Sequence, residues 1–184
     1  MDKLEGVIRN TNHSKEQRDY FANLIIHQPE LLPKLFEFCN LVDDDISYRA
    51  NWGLEFLCRK ELCAVLPHME RFTELLPITY KDPGVRPLVK ICEYLIMAYY
   101  KDKVPAVQKE LTLEYRKKIT EACFDWLLSN HKVAAKAYAM TSLYLLGTEF
   151  DWVHPELKII LENNYASNSA AYKARARVIL KKIK

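Results

Sequence analysis

The scarcity of glycine constrains this chain more than any other feature: four glycines, Gly6, Gly53, Gly84 and Gly147, are spread over 184 residues. β-Rich folds and phosphate-cradling loops use glycine wherever the backbone turns tightly or approaches a ligand closely. No two of the four stand close enough for a G-x-G-x-x-G or Walker-type loop, so nucleotide binding by those two routes is excluded. Apolar spacing is helical nearly everywhere, and no segment sustains the alternation of a half-buried strand. With 49% hydrophobic and 28% charged residues, the profile is that of a soluble globular protein. Residues 1–184 suffice for one domain that buries a core without disulfides or metal.

The spacing predicts a succession of helices. Ser14 is placed to cap one running to His27, and Pro29 opens another through Leu35, Phe36 and Phe38. Ile46, Ala50, Leu54 and Leu57 make the stripe of a third, and Pro67 precedes a helix carrying Met69, Phe72 and Leu76. Asp82-Pro83-Gly84 reads as a turn, after which Leu88, Cys92, Leu95 and Tyr99 share one face. Residues 101–110, KDKVPAVQKE, read as a polar surface loop. The helix after Thr112 buries Ile119, Cys123, Trp126 and Leu127. The next carries Ala135, Tyr138, Ala139, Ser142 and Leu146, and Gly147 stops it as a C-terminal cap. Pro155 takes the first position of another, and Asn168 caps the last.

These helices fall into pairs that resemble one another. The second member follows a short polar loop, then shows a small or β-branched residue, a base and an apolar run: DDDISYRANWGLEFL, YKDPGVRPLVKICEYLI, NHKVAAKAYAMTSLYLL and NSAAYKARARVILKKI. Taking Arg49, Arg86, Lys136 and Lys173 as equivalent, the intervals are 37, 50 and 37 residues. An offset of 38 instead aligns Glu55 with Glu93. A weaker first pair occupies the N-terminal residues. The expected architecture is an all-α superhelix of about five antiparallel pairs, each burying its neighbour's apolar side.

The leucine-rich first helix, the Asp/Asn loop and the Arg/Lys-Ala second helix resemble HEAT and armadillo-like helical repeats over nearly the whole chain. Ala50, Ala135, Ala139, Ala174 and Ala176 suit close helix approach. The chain also resembles a family of short bacterial proteins that carry the label adenylosuccinate lyase. A true lyase of that superfamily is more than twice as long and has an S-S-x-M-P-x-K-x-N loop. Nothing here matches it, and the label reads as a transfer error. HEAT-like alkylpurine DNA glycosylases imply a second use for such an architecture, gripping a duplex with bases, aromatics and one carboxylate. The chain is shorter and less basic than those enzymes and has no match to their catalytic region.

Reaction chemistry finds little support in the residues. The histidines His13, His27, His68, His131 and His154 are scattered, without H-x-x-x-H or H-E-x-x-H spacing, so no metal site and no cofactor are expected. No G-x-S-x-G elbow is present, and no Ser or Cys has a readable His partner. The cysteines Cys39, Cys58, Cys63, Cys92 and Cys123 are odd in number and sit in apolar patterns. They read as reduced, buried small hydrophobes, which fits the cytoplasm. The N-terminus lacks the apolar run of a signal peptide, no stretch approaches a membrane span, and no membrane association is expected. Glu55 and Glu93 are expected to pair with bases of neighbouring helices.

Basic residues remain as the informative surface. A net charge of +3 is too small to argue for nucleic acid by itself. The last helix contains no acid: Lys173, Arg177, Lys181 and Lys184 form one stripe, Arg175 and Lys182 a second, while Tyr172, Ala176, Ile179, Leu180 and Ile183 face inward. Cations near a terminal helix end are also what capping requires. Arg49 and Arg86 are placed to bind the loop acids Asp44 or Asp45 and Asp82. Trp126 and Tyr99 read as core, Trp52 as bordering the concave side, and Trp152 as a staple between the fourth and fifth pairs. The function expected is a non-enzymatic scaffold whose concave face holds an acidic protein or peptide, through Arg49, Trp52, Arg86, Lys90, Lys136, Lys173, Arg177 and Lys181.

Overall fold

The computed structural model describes residues 3–12 and 14–183; His13 and Lys184, singled out above, lie outside the described residues. Those residues are all-α, with no strand among them. In chain order the helices are α1 (Lys3–Asn10), α2 (Lys15–His27), α3 (Leu32–Cys39), α4 (Asp45–Lys60), α5 (Met69–Ile78), α6 (Asp82–Tyr100), α7 (Pro105–Glu110), α8 (Leu113–Leu128), α9 (Val133–Leu146), α10 (Val153–Tyr165) and α11 (Ala170–Leu180). Short 3₁₀ segments at Pro29–Leu31 and Leu62–His68 precede α3 and α5.

Local chemistry explains most boundaries. Ser14 Oγ accepts from the Gln17 N–H at 3.2 Å and so starts α2. Thr112 caps α8 in the same way, accepting from Tyr115 N–H. At α11 the cap is Ser169, which accepts from Tyr172 N–H, rather than Asn168. Asn168 instead donates back to the Asn164 carbonyl at 2.8 Å.

Three other expectations are corrected. Asp82-Pro83-Gly84 is not a turn but the first turn of α6, because a proline there loses no helical hydrogen bond. Residues 101–110 are not all loop: Pro105 opens α7, and Val107 buries itself completely. Pro155 lies inside the first turn of α10, which begins at Val153.

Helices α2, α4, α6, α9 and α11 each contact the next in that order. On the other side α3 packs on α4, α8 on α9 and α10 on α11, while α5 touches both α3 and α8. The buried cluster runs from Leu4 through Phe36, Leu95 and Trp126 to Ile183. Trp126 is core, as expected, and Tyr99 is partly buried against it. Exposed Trp152 stacks on Phe124 of α8, with ring centroids 5.4 Å apart, at the start of α10. All five cysteines are free, and four are buried. Burial pushes the Cys123 thiol up to about 12, an inert state for a nucleophile. No helix among the described residues is long and apolar enough to cross a membrane.

Candidate partner-binding face

The exposed faces of α2, α4, α6, α9 and α11 join through side-chain contacts that cross from helix to helix. Arg18 on α2 lies over the Phe56 ring of α4, its guanidinium 5.8 Å from the centroid. One turn on, Arg59 Nε donates to the Tyr94 hydroxyl of α6 at 3.2 Å. Lys90, one turn before Tyr94, sits 4.2 Å from the Tyr138 ring of α9. Arg175 on α11 donates to Thr141 of α9 at 3.4 Å. Residues three or four apart share a helical face, so these contacts define one continuous surface with a cation from four of its five helices.

Three clefts lie along this surface. One, between α2 and α4, is lined by Arg18, Phe56 and Arg59. Another, between α9 and α11, is lined by Val133, Ala137, Ala174 and Arg175. The central cleft, of about 370 Å³, is lined by Trp52 of α4, Asp82, Pro83 and Arg86 of α6, and Lys132, Ala134 and Ala135 at the start of α9. Its walls are mostly apolar and its bases stand on two different helices.

Buried carboxylates organise the charges. Glu55 is 1% exposed and accepts from Arg59 Nη2 at 2.6 Å and Arg86 Nη1 at 3.4 Å. Glu93, also buried, holds Lys90 Nζ at 2.6 Å. The expected pairing with a neighbouring helix holds for Glu55 with Arg86, whereas Glu93 pairs with Lys90 of its own helix. Asp82 does not bind Arg86; it lies 2.7 Å from His131 Nδ1 in the loop before α9. Nor does Arg49 bind a loop acid. Its Nη1 donates to the Thr11 carbonyl at 2.9 Å, while Asp44 is occupied capping α4 at Ile46 N–H. Trp52 Nε1 donates to the Pro83 carbonyl at 2.9 Å, joining α4 to the start of α6.

The structure divides the eight sequence-selected residues. Trp52 and Arg86 line the central cleft, Arg49 lies 6.0 Å from the Trp52 ring, and Lys90 is one turn along α6 from Arg86, over the Tyr138 ring. Arg177 and Lys181 do not continue that strip; they line a separate hollow against Glu162 and Tyr165 of α10, and Arg177 donates to the Tyr165 hydroxyl at 3.1 Å. Lys173 and Arg177 are two positions from Arg175, about 200° around the helix, which takes them off the face that reaches α9. The same arithmetic separates Lys136 from Ala134 and Tyr138. Partial burial lowers the Lys136 pKa, and no described group pairs with it. Arg18 and Arg59, which the equivalence of repeat positions overlooked, belong to the face, together with Lys132 at the start of α9. Of the two basic stripes on α11, the one with Arg175 reaches across to α9.

No group of three or more metal-ligating side chains gathers among the described residues. No protein-family model, curated protein or solved structure matches the chain.

Proposed function

We propose that the chain is a short HEAT-like solenoid, with α3–α4, α8–α9 and α10–α11 as packed helix pairs, and that it works as a scaffold rather than an enzyme. The order α2, α4, α6, α9, α11 in which helices touch supports the stacking. Its ligand is an acidic segment of another protein, laid across the second helices of the pairs. One observation carries the reading: Arg18, Arg59, Lys90 and Arg175 present a cation from four of these helices on a surface that also holds three clefts. Aromatic rings stand between the bases, and such a mixture of rings and guanidinium groups is typical of binding hot spots.

The test is a charge reversal. Arg18→Glu combined with Arg175→Glu touches the two ends of the face without removing a partner of a buried acid. Acidic proteins captured by the wild-type chain from native lysate should be lost with this variant while its circular dichroism stays unchanged. Equal capture by both proteins overturns the proposal. So does tight binding of a labelled duplex at about 50 mM salt with no acidic protein captured, since backbone phosphates then supply the counter-charge.

A further inference from the structure

We infer that the central cleft is the anchor of this face, and that it takes an Asp or Glu side chain of the partner together with the apolar side chain next to it. The inference rests on the reading above and adds where the affinity resides. The cations of the face are not equally available. Arg59 is held by Glu55 at 2.6 Å and by the Tyr94 hydroxyl, and Lys90 by Glu93 at 2.6 Å. Arg86 has one long contact, 3.4 Å from Nη1 to Glu55, so most of a guanidinium's five donors remain to be used. The Lys132 ammonium is exposed, and no described group engages it. Both unspent cations border the same cleft, from different helices.

Arg59 is what makes Arg86 transferable. Taking a cation away from a buried carboxylate ordinarily leaves an uncompensated charge, which is costly. Glu55 keeps its shorter, 2.6 Å partner when Arg86 turns to an incoming anion, so the face gives up little to bind. Between the two bases the walls are Trp52, Pro83, Ala134 and Ala135, and the one acid of the lining, Asp82, is engaged by His131 Nδ1 at 2.7 Å. They offer an apolar floor suited to the side chain beside the acid, and burial there strengthens the charge-assisted contacts at the rim. The flanking clefts between α2 and α4 and between α9 and α11 extend the surface on both sides. A chain can therefore enter and leave, which favours an internal acidic residue over a terminal carboxylate.

The experiment selects binders from a random-peptide phage library in which the displayed peptide has no free C-terminus. The enriched sequence is then synthesised with both ends blocked and titrated by fluorescence polarisation. An acidic residue next to an aliphatic or aromatic one should emerge. Arg86→Gln and Lys132→Gln should each weaken binding about tenfold or more, while Lys181→Gln on the α10–α11 hollow leaves it unchanged. Arg59→Ala should weaken it as well, by returning Arg86 to Glu55, and Arg59→Ala/Glu55→Gln should restore it. Selected peptides without an acidic residue, or an affinity indifferent to Arg86→Gln, overturn the anchor. If affinity then falls in the Arg18→Glu/Arg175→Glu protein, the face survives and the anchor alone is lost; if no peptide binds, both readings fall.

Discussion

At the scale of single residues, the most demanding ion pair lies away from the proposed face. Arg116 on α8 is 9% exposed and meets the Glu149 carboxylate twice, at 2.7 and 2.9 Å. Tyr100 at the end of α6 donates to the same carboxylate. One acid in the loop after α9 thus fastens α6 and α8 to that loop. Removing it strands a buried guanidinium, so Glu149→Gln should lower stability by about 1–2 kcal/mol at neutral pH. An exposed pair such as Arg9–Glu5 is worth about 0.5 kcal/mol or less. The hydrogen bonds from Arg116, opposed by partial burial, hold the Glu149 carboxyl below its ordinary range. A depressed folded pKa contributes stability above the unfolded value that is lost as pH falls through the folded one. Urea unfolding between pH 7 and pH 3 should therefore show a shallower acid loss in Glu149→Gln than in wild type. Identical slopes would show that the pair carries no linkage.

Between elements, two glycines matter for the room they leave, and neither has a positive φ. A Cβ on Gly53 would stand 2.3 Å from the ring of Phe21, which is fully buried between α2 and α4. Ala in place of a helical Gly normally gains about 1 kcal/mol in propensity. Here the ring has nowhere to go, and overpacking of about 2–3 kcal/mol outweighs that gain. Gly53→Ala should lower the melting temperature, and a rise would show that the helices separate freely. Gly147 caps the C-terminus of α9, as its position suggests, with its N–H donating to the Leu143 carbonyl at a φ of −66°. The His154 ring lies against it, 2.0 Å from where a Cβ would be, with Nε2 2.8 Å from the Tyr144 carbonyl. At this position a packing demand joins the cap.

On the scale of the whole molecule, what matters is how far a local strain spreads along the row α2, α4, α6, α9, α11. If the chain is a solenoid, the strain of Gly53→Ala should raise amide exchange in α2 and α4 while α9–α11 keep their protection. Exchange that rises equally in every helix would mean a single cooperative bundle. A row of bases facing an acidic partner also implies affinity that declines with salt, since exposed charges are screened within about 10 Å at 0.1 M.

Helical periodicity and the shortage of glycine determined the all-α class, and short polar side chains at Ser14 and Thr112 marked true helix starts. Both signals are local: they depend on residues within a turn of each other. The sequence also singled out Trp52 and Arg86, which line one cleft, because a base at a recurring position of successive helices is visible as spacing. Which bases are free was decided by tertiary structure alone. Glu55 meets Arg86 from a residue 31 positions away, His131 takes Asp82 from 49, and Arg49 is spent on the carbonyl of Thr11. Such pairings depend on how helices rotate against one another, and that rotation also chose Arg175 over Arg177 for the face. A cation's availability belongs to its neighbours in space, so it can be read only after the helices have packed.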